Sequence, residues 1–188
     1  PGTVPTPAHF GREMPALLDA LPPDRRPARL AVEPGRFLVA SASWLVARVL
    51  HVRERADADR VIVLDTGMTE LIRPALYGAS HPIVALTSLG RPLDAEGRKP
   101  SGALAPIALA RVDGPICEST DTFDRHDLPP LRRGDLVAIR EAGAYAASMA
   151  MTYNGRPAPT QAMLETNGAL TLGRRRRAVA IRRGATTG

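Results

Sequence analysis

Four short clusters in this chain set reactive or ion-binding side chains beside a glycine, at the end of an apolar run, or one helical turn apart, where polypeptides commonly place their chemistry. In Glu33-Pro34-Gly35-Arg36 the glycine would let backbone N–H groups approach an anion, and the arginine can fork onto a carboxylate or phosphate. Taken alone, that tetrapeptide reads better as a capped turn with a surface ion pair. Arg73 and Tyr77 stand four residues apart, so on a helix they point the same way and can hold one carboxylate between them. An amphipathic tip packed on its neighbours accounts for the spacing equally well. Cys117 follows Gly114-Pro115-Ile116 and begins Cys117-Glu118-Ser119-Thr120-Asp121, which sets a thiol beside a carboxylate. As the single cysteine it cannot form an internal disulfide or a multi-cysteine zinc site, which leaves its reactivity, or the usual role of a buried inert thiol. Tyr145, in Gly143-Ala144-Tyr145, stands at another strand end, where most tyrosines plug a core.

The elements that must position these groups fall into two parts. Apolar residues at Phe10, Met14, Leu17, Leu18 and Leu21 have the spacing of one helix face over Ala8 to Leu21, stopped by Pro22-Pro23-Asp24. Arg29 to Val32 then reads as a short strand before the glycine turn at 33–36, the rhythm of an α/β unit. Such a unit cannot stand alone, and it reads as the last βα segment of a larger assembly. From Trp44 the pattern changes. Trp44 to Arg55 and Arg60 to Asp65 predict a β-hairpin, and further strands are expected at Pro82 to Thr87, Ile107 to Val112, Asp135 to Arg140, Gln161 to Glu165 and Ala178 to Arg182. A short helix is expected over Thr69 to Tyr77, and the polar stretch from Ser88 to Pro106 reads as a long surface loop.

Composition narrows the classes. The 188 residues are 44% hydrophobic, enough for a real core and too few for two complete domains. No run of eighteen apolar residues marks a membrane span and no basic segment leads into an apolar one, so a cytoplasmic protein is expected. The net charge of +6 invites a polyanion partner, but the excess gathers at Arg174-Arg175-Arg176-Arg177 and Arg182-Arg183, and aromatics make up only 4%. A solvated arginine-rich face is the favoured reading, with no nucleic acid and no membrane partner. Lys99 is the sole lysine and lies in the polar loop, far in sequence from all four clusters.

All four clusters occur together and in order, and with them the chain resembles the C-terminal part of the diaminopimelate decarboxylases, fold-type III pyridoxal-phosphate enzymes. The resemblance also runs through Asp65-Thr66-Gly67-Met68, Gly78, Gly134-Asp135-Leu136, Ser148-Met149 and Tyr153-Asn154 before Arg156-Pro157. It departs at Thr120 and Ala146, where glycine is commoner, and in the 88–106 loop. It implies a mainly β fold with some α: residues 1–43 would be the end of a (β/α)8 cofactor-binding barrel, and 44–188 a C-terminal β-barrel domain of Greek-key type. It implies pyridoxal 5'-phosphate as cofactor. Glu33 would face the pyridine nitrogen, Gly35 and Arg36 would offer N–H groups to the phosphate, and Tyr145 would lie beside cofactor and substrate. Arg36, Arg73 and Tyr77 would clamp the distal carboxylate of an amino-acid substrate. Cys117 would be the general acid that reprotonates the substrate carbon, and Glu118 would recognise the distal amino group, both in the partner subunit's site, which implies a homodimer with shared active sites.

The implied cofactor-binding lysine and glycine-rich phosphate loop belong to the N-terminal barrel, which is expected to be missing here, so the chain alone should be inactive. The implied reaction is decarboxylation of meso-2,6-diaminopimelate to L-lysine and carbon dioxide. Two other readings stay open: a related decarboxylase acting on another amino acid or a carrier-bound substrate, and a non-catalytic binding β-domain. Glutamate at position 118 favours the diaminopimelate type, since polyamine-forming relatives usually place aspartate there.

Overall fold

In a computed structural model of the chain, structure is described for residues 5–55, 58–93 and 107–173. Lys99, most of the 88–106 loop, the strand expected at Ala178 to Arg182 and the C-terminal arginines lie outside the described residues. The chain divides after Pro34 into two compact units.

The first unit is built on helix α1 (Pro7–Asp19), close to the helix expected from Ala8 to Leu21. The Thr6 hydroxyl caps it by accepting from the His9 N–H, and Pro7 sits in its first turn, where its missing N–H costs nothing. The strand expected at Arg29 to Val32 does not form: the segment is irregular, with Leu30 and Val32 exposed. A strand must exchange ladder hydrogen bonds with a neighbour, and no other strand among the described residues lies in this unit.

The second unit opens with a short helix α2 (Gly35–Val39) and then a six-stranded sheet. Its strands are β1 (Leu45–Arg55), β2 (Ala58–Leu64), β3 (Ile83–Leu86), β4 (Ala108–Asp113), β5 (Thr122–Leu128) and β6 (Leu136–Ile139). They lie in the order β3-β6-β1-β2-β4-β5, with β2 and β4 parallel and every other pair antiparallel. The edge strands β3 and β5 approach each other without pairing, so the sheet curls around its core as a barrel left open at that seam. A separate two-stranded ribbon, β7 (Ala162–Leu164) with β8 (Leu170–Leu172), follows.

The core is filled by alternation. Ala47 and Val49 of β1 face inward with Ile62 and Leu64 of β2, Ala110 and Val112 of β4, and Val137 and Ile139 of β6. A register shift between Val49 and His51 lets β1 change parity, so that Val52, three residues beyond Val49, also packs against the core. Between β2 and β3, the helix expected over Thr69 to Tyr77 is shortened to α3 (Arg73–Tyr77). Pro74 cannot donate to the carbonyl of Glu70, so the preceding turn closes separately, through the Glu70 and Leu71 N–H groups onto the Gly67 carbonyl.

Candidate active site

Arg73 and Tyr77 stand one turn apart on α3, which Gly78 ends in the left-handed conformation (φ 60°), its N–H donating to the Pro74 carbonyl. Both side chains face an open cleft of about 590 Å³, whose other walls are Arg36 of α2, Ala79 and Tyr145. Residues distant in sequence are thus brought together. The contact that joins α2 to the Tyr145 segment is a close one: the Gly143 N–H donates to the Ala40 carbonyl at 3.0 Å, and a Cβ at Gly143 would collide with the carbonyl oxygen of Val39. Tyr145 itself holds φ at 62°, a backbone state that costs a non-glycine residue about 1–2 kcal/mol, while its ring stays half exposed at the cleft.

Arg73 is the buried member of this group. Its terminal nitrogen contacts Nε2 of His81 at 3.0 Å, and Nδ1 of His81 lies 2.9 Å from the Arg140 carbonyl. Nε of Arg73 is buried and has no hydrogen-bond partner among the described residues. Burial pushes His81 below the ordinary histidine pKa, with Arg73 and Arg36 acting in the same direction, against the Arg140 carbonyl and Glu141, which raise it. The imidazole is fixed by an extension of the β3–β6 ladder: beyond the Ile83–Ile139 pair, the Arg140 N–H donates to the Pro82 carbonyl at 2.8 Å.

The other predicted residues lie elsewhere. Cys117 and Glu118 are exposed on the turn between β4 and β5 and do not line this cleft. The thiol is therefore not a buried inert one. What holds this turn is Asp121, whose carboxylate is buried and accepts from the Ile116 N–H at 2.7 Å and the Met68 N–H at 2.6 Å. Its own N–H donates to the Glu118 carbonyl at 3.1 Å. Gly67 and Gly114 press so closely on that carboxylate that a Cβ on either would overlap it. Gly35, by contrast, opens α2 with nothing within 4 Å of where its Cβ would be, so no close backbone approach demands a glycine there. Glu33 is exposed in the first unit.

Beside the turn at 67–71, Glu70 is buried, accepts from the Thr66 hydroxyl and the Gly67 N–H, and pairs with Nε of Arg156 at 3.3 Å. His81 and Asp121 are the two residues of the site that sequence reasoning did not single out as working parts. A lone histidine before a proline has no spacing signature, and the glycines that press on Asp121, Gly67 and Gly114, do not flank it in sequence. No cluster of metal-ligating side chains exists among the described residues. No helix among them is long and apolar enough to cross a membrane. Two arginines and two tyrosines around one cleft can bind the oxygens of a carboxylate or phosphate, and an exposed thiol beside a carboxylate can pass a proton.

Residues 36–143 match the family described as "Pyridoxal-dependent decarboxylase, C-terminal sheet domain". The diaminopimelate decarboxylase of Deinococcus radiodurans is 45% identical over 137 residues, which cover 72% of this chain and 32% of that protein. That of Escherichia coli K12 is 37% identical over 161 residues, 81% of this chain and 36% of the relative. The crystal structure of the Helicobacter pylori diaminopimelate decarboxylase complexed with L-lysine superposes with a TM-score of 0.62 at 37% identity, over 78% of this chain and 32% of that one. The chain spans about a third of the length of the curated relatives it matches.

Proposed function

The chain belongs to the family of pyridoxal-dependent decarboxylases and carries their C-terminal sheet domain; from that premise we propose that it serves the decarboxylation of meso-2,6-diaminopimelate to L-lysine and carbon dioxide. The observation that carries this reading is the convergence of Arg36, Arg73, Tyr77 and Tyr145 on one cleft, with the buried Nε of Arg73 left without a partner among the described residues. The H. pylori relative complexed with L-lysine, the product of this reaction, supports it further.

The residues present fit part of a site for pyridoxal 5'-phosphate and its substrate, because orphaned or exposed cations and phenols suit oxyanions. Gly35 and Arg36 would hold the cofactor's phosphate through their N–H groups, Glu33 would face its pyridine nitrogen, and Tyr145 would lie alongside. When bound, the cofactor provides the sink for the electron pair left as carbon dioxide departs. Arg36, Arg73 and Tyr77 bind the carboxylate that is retained, and Glu118 binds the amino group beside it. Together they read a zwitterionic end that ornithine and arginine lack beyond their reacting carbon. Cys117 delivers the proton to the substrate carbon. Cys117 and Glu118 are exposed and do not line their own chain's cleft; on this reading they serve the cleft of a second subunit, and the working species is a homodimer.

The test joins this chain in frame to the cofactor-binding barrel of the D. radiodurans relative and measures carbon dioxide release. Release from meso-diaminopimelate well above that from ornithine, arginine or lysine is expected, and loss of that release with Arg73→Ala. A preference for ornithine or arginine would overturn the substrate assignment. The chain alone should release none, since its sole lysine, Lys99, lies far in sequence from every site residue.

A further inference from the structure

We propose that His81 is a positioning residue: a neutral imidazole, locked in the Nδ1–H tautomer, that fixes the guanidinium of Arg73 at the wall of the cleft. The tautomer follows from donors and acceptors. Arginine has only N–H groups to offer, so Nε2, 3.0 Å from its terminal nitrogen, must accept and carries no proton. Nδ1 faces the Arg140 carbonyl at 2.9 Å, which only accepts, so the single ring proton resides there. Backbone, imidazole and guanidinium thus form one directed chain, Arg140 carbonyl to His81 to Arg73, anchored at its far end by the Arg140–Pro82 hydrogen bond that prolongs the sheet.

This arrangement uses one terminal nitrogen of Arg73 for position and leaves its buried Nε without an acceptor among the described residues. His81 is almost wholly buried, at 1% exposure, so no water competes freely for Nε2. A second proton on the ring would remove the acceptor and set two cations in contact. The charged groups facing the ring are Arg73 from α3, Arg36 from α2, and Glu141 just after β6, together with the Arg140 carbonyl. Burial and the two arginines act to keep it neutral, in accord with the tautomer that the hydrogen bonds require. The inference rests on the proposed carboxylate reading only for what Arg73 is held ready to meet.

The experiment is 15N NMR on the 188-residue chain at pH 7.5, with glutarate as a plain dicarboxylate probe, for wild type, His81→Leu, His81→Gln and Arg73→Ala. A protonated Nδ1, an unprotonated Nε2 and a sharp, exchange-protected Nε–H signal from Arg73 are expected in wild type. His81→Leu removes the acceptor and should blur the Arg73 signal and weaken glutarate about tenfold, the scale of one hydrogen bond to a charged group. In His81→Gln the amide oxygen can replace Nε2, so both signal and affinity should return to near wild type. An Nε2–H tautomer, an imidazolium at pH 7.5, or a His81→Leu chain that folds and keeps both signal and affinity overturns the proposal. Should the leucine variant fail to fold, His81→Gln decides, since loss of the Arg73 signal despite a retained acceptor overturns it equally. Glutarate binding that is absent, or indifferent to Arg73→Ala, would instead count against the carboxylate reading, and the tautomer and the Arg73 signal would still judge His81.

Discussion

The cleft wall and the thiol turn are held in different ways. At the cleft, Arg73 is itself part of the fold's interior: it is buried, bonded to His81, and tied through it to the end of β6. At the turn between β4 and β5, Cys117 and Glu118 stand in solvent, and only the backbone on either side is fixed, by Asp121. A group that must meet a ligand at a set distance within its own chain gains from a side-chain network that removes its freedom. A group that receives its surroundings from a second body needs a rigid base and a free tip. The contrast accords with the proposed division of labour, in which the cleft wall serves its own chain and the turn serves a partner.

The largest effect that would break this contrast is at Asp121. Asp121→Ala leaves the Met68 and Ile116 N–H groups without acceptors and opens a void between Gly67 and Gly114. With each hydrogen bond to a charged group contributing about 1.5–3 kcal/mol, a loss of about 3–6 kcal/mol is expected in urea unfolding. Asp121→Asn keeps one acceptor and should fall between. A loss under about 1 kcal/mol for the alanine variant would mean that the turn is not held from behind as described. Next in size is Gly143→Ala, whose methyl group would drive α2 away from the Tyr145 segment by colliding with the Val39 carbonyl. A cost of about 1–3 kcal/mol, typical of overpacking, is expected in the same assay. It should be accompanied by shifts in the amide signals of Arg36 and Tyr145, and signals that stay in place would show that the cleft wall does not depend on this contact.

How much of this was legible depends on whether a residue's partners lie close to it in sequence. Arg73 and Tyr77 announced themselves by their spacing on one turn, and β1 by its alternation up to Val49. The rest of β1, to Arg55, is also expected from sequence despite its parity change, whereas β5 carries no alternation that marks it as a strand. Its two buried apolar residues, Phe123 and Leu128, are five apart on opposite parities, which Asp124 reconciles with a φ of 69° and a register shift against β4. The β7–β8 ribbon does carry a turn signal in Asn167-Gly168, but its second strand, Leu170–Leu172, is three exposed residues, too short for alternation to mark it. His81 lay beyond sequence reasoning for a plainer reason: its two partners are 8 and 59 residues away. The family resemblance reached Arg36, Cys117 and Tyr145 because it reads residue identity at fixed positions, and physical pattern alone left each of them with an ordinary structural role.

A smaller effect sharpens the cleft side of the comparison. His81 has its pKa lowered in the folded chain from 6.5, so the unfolded chain binds the proton more readily. Its stabilising contribution is therefore fully present above the unfolded value of about 6.5 and is lost as pH falls through that value toward the depressed folded one. Unfolding free energies measured from pH 7.5 down to 5 should decline for wild type more steeply than for His81→Gln, which has no proton to gain. Parallel curves would show that the imidazole is not held neutral.

The smallest effect on stability should be at Cys117, and there a near-zero result carries the information. Its side chain is exposed and the Asp121 bonds that fix its turn involve the backbone of Ile116 and Glu118, not the thiol. Cys117→Ala should therefore change unfolding free energy by less than about 0.5 kcal/mol, the range of an ordinary surface substitution. The native thiol should also react completely with a disulfide reagent without any denaturant. If Cys117→Ala instead cost as much as a core substitution, or the thiol reacted only on unfolding, the thiol would be part of its own chain's packing. The free tip on a rigid base would then be lost, and with it the physical basis for assigning Cys117 to a partner's site. If stability is untouched while turnover in the barrel-fused enzyme falls, the thiol acts on something outside its own fold. In that enzyme, mixing Cys117→Ala with a variant lacking the barrel lysine should restore roughly a quarter of wild-type activity, because half of randomly reassorted dimers hold one intact site.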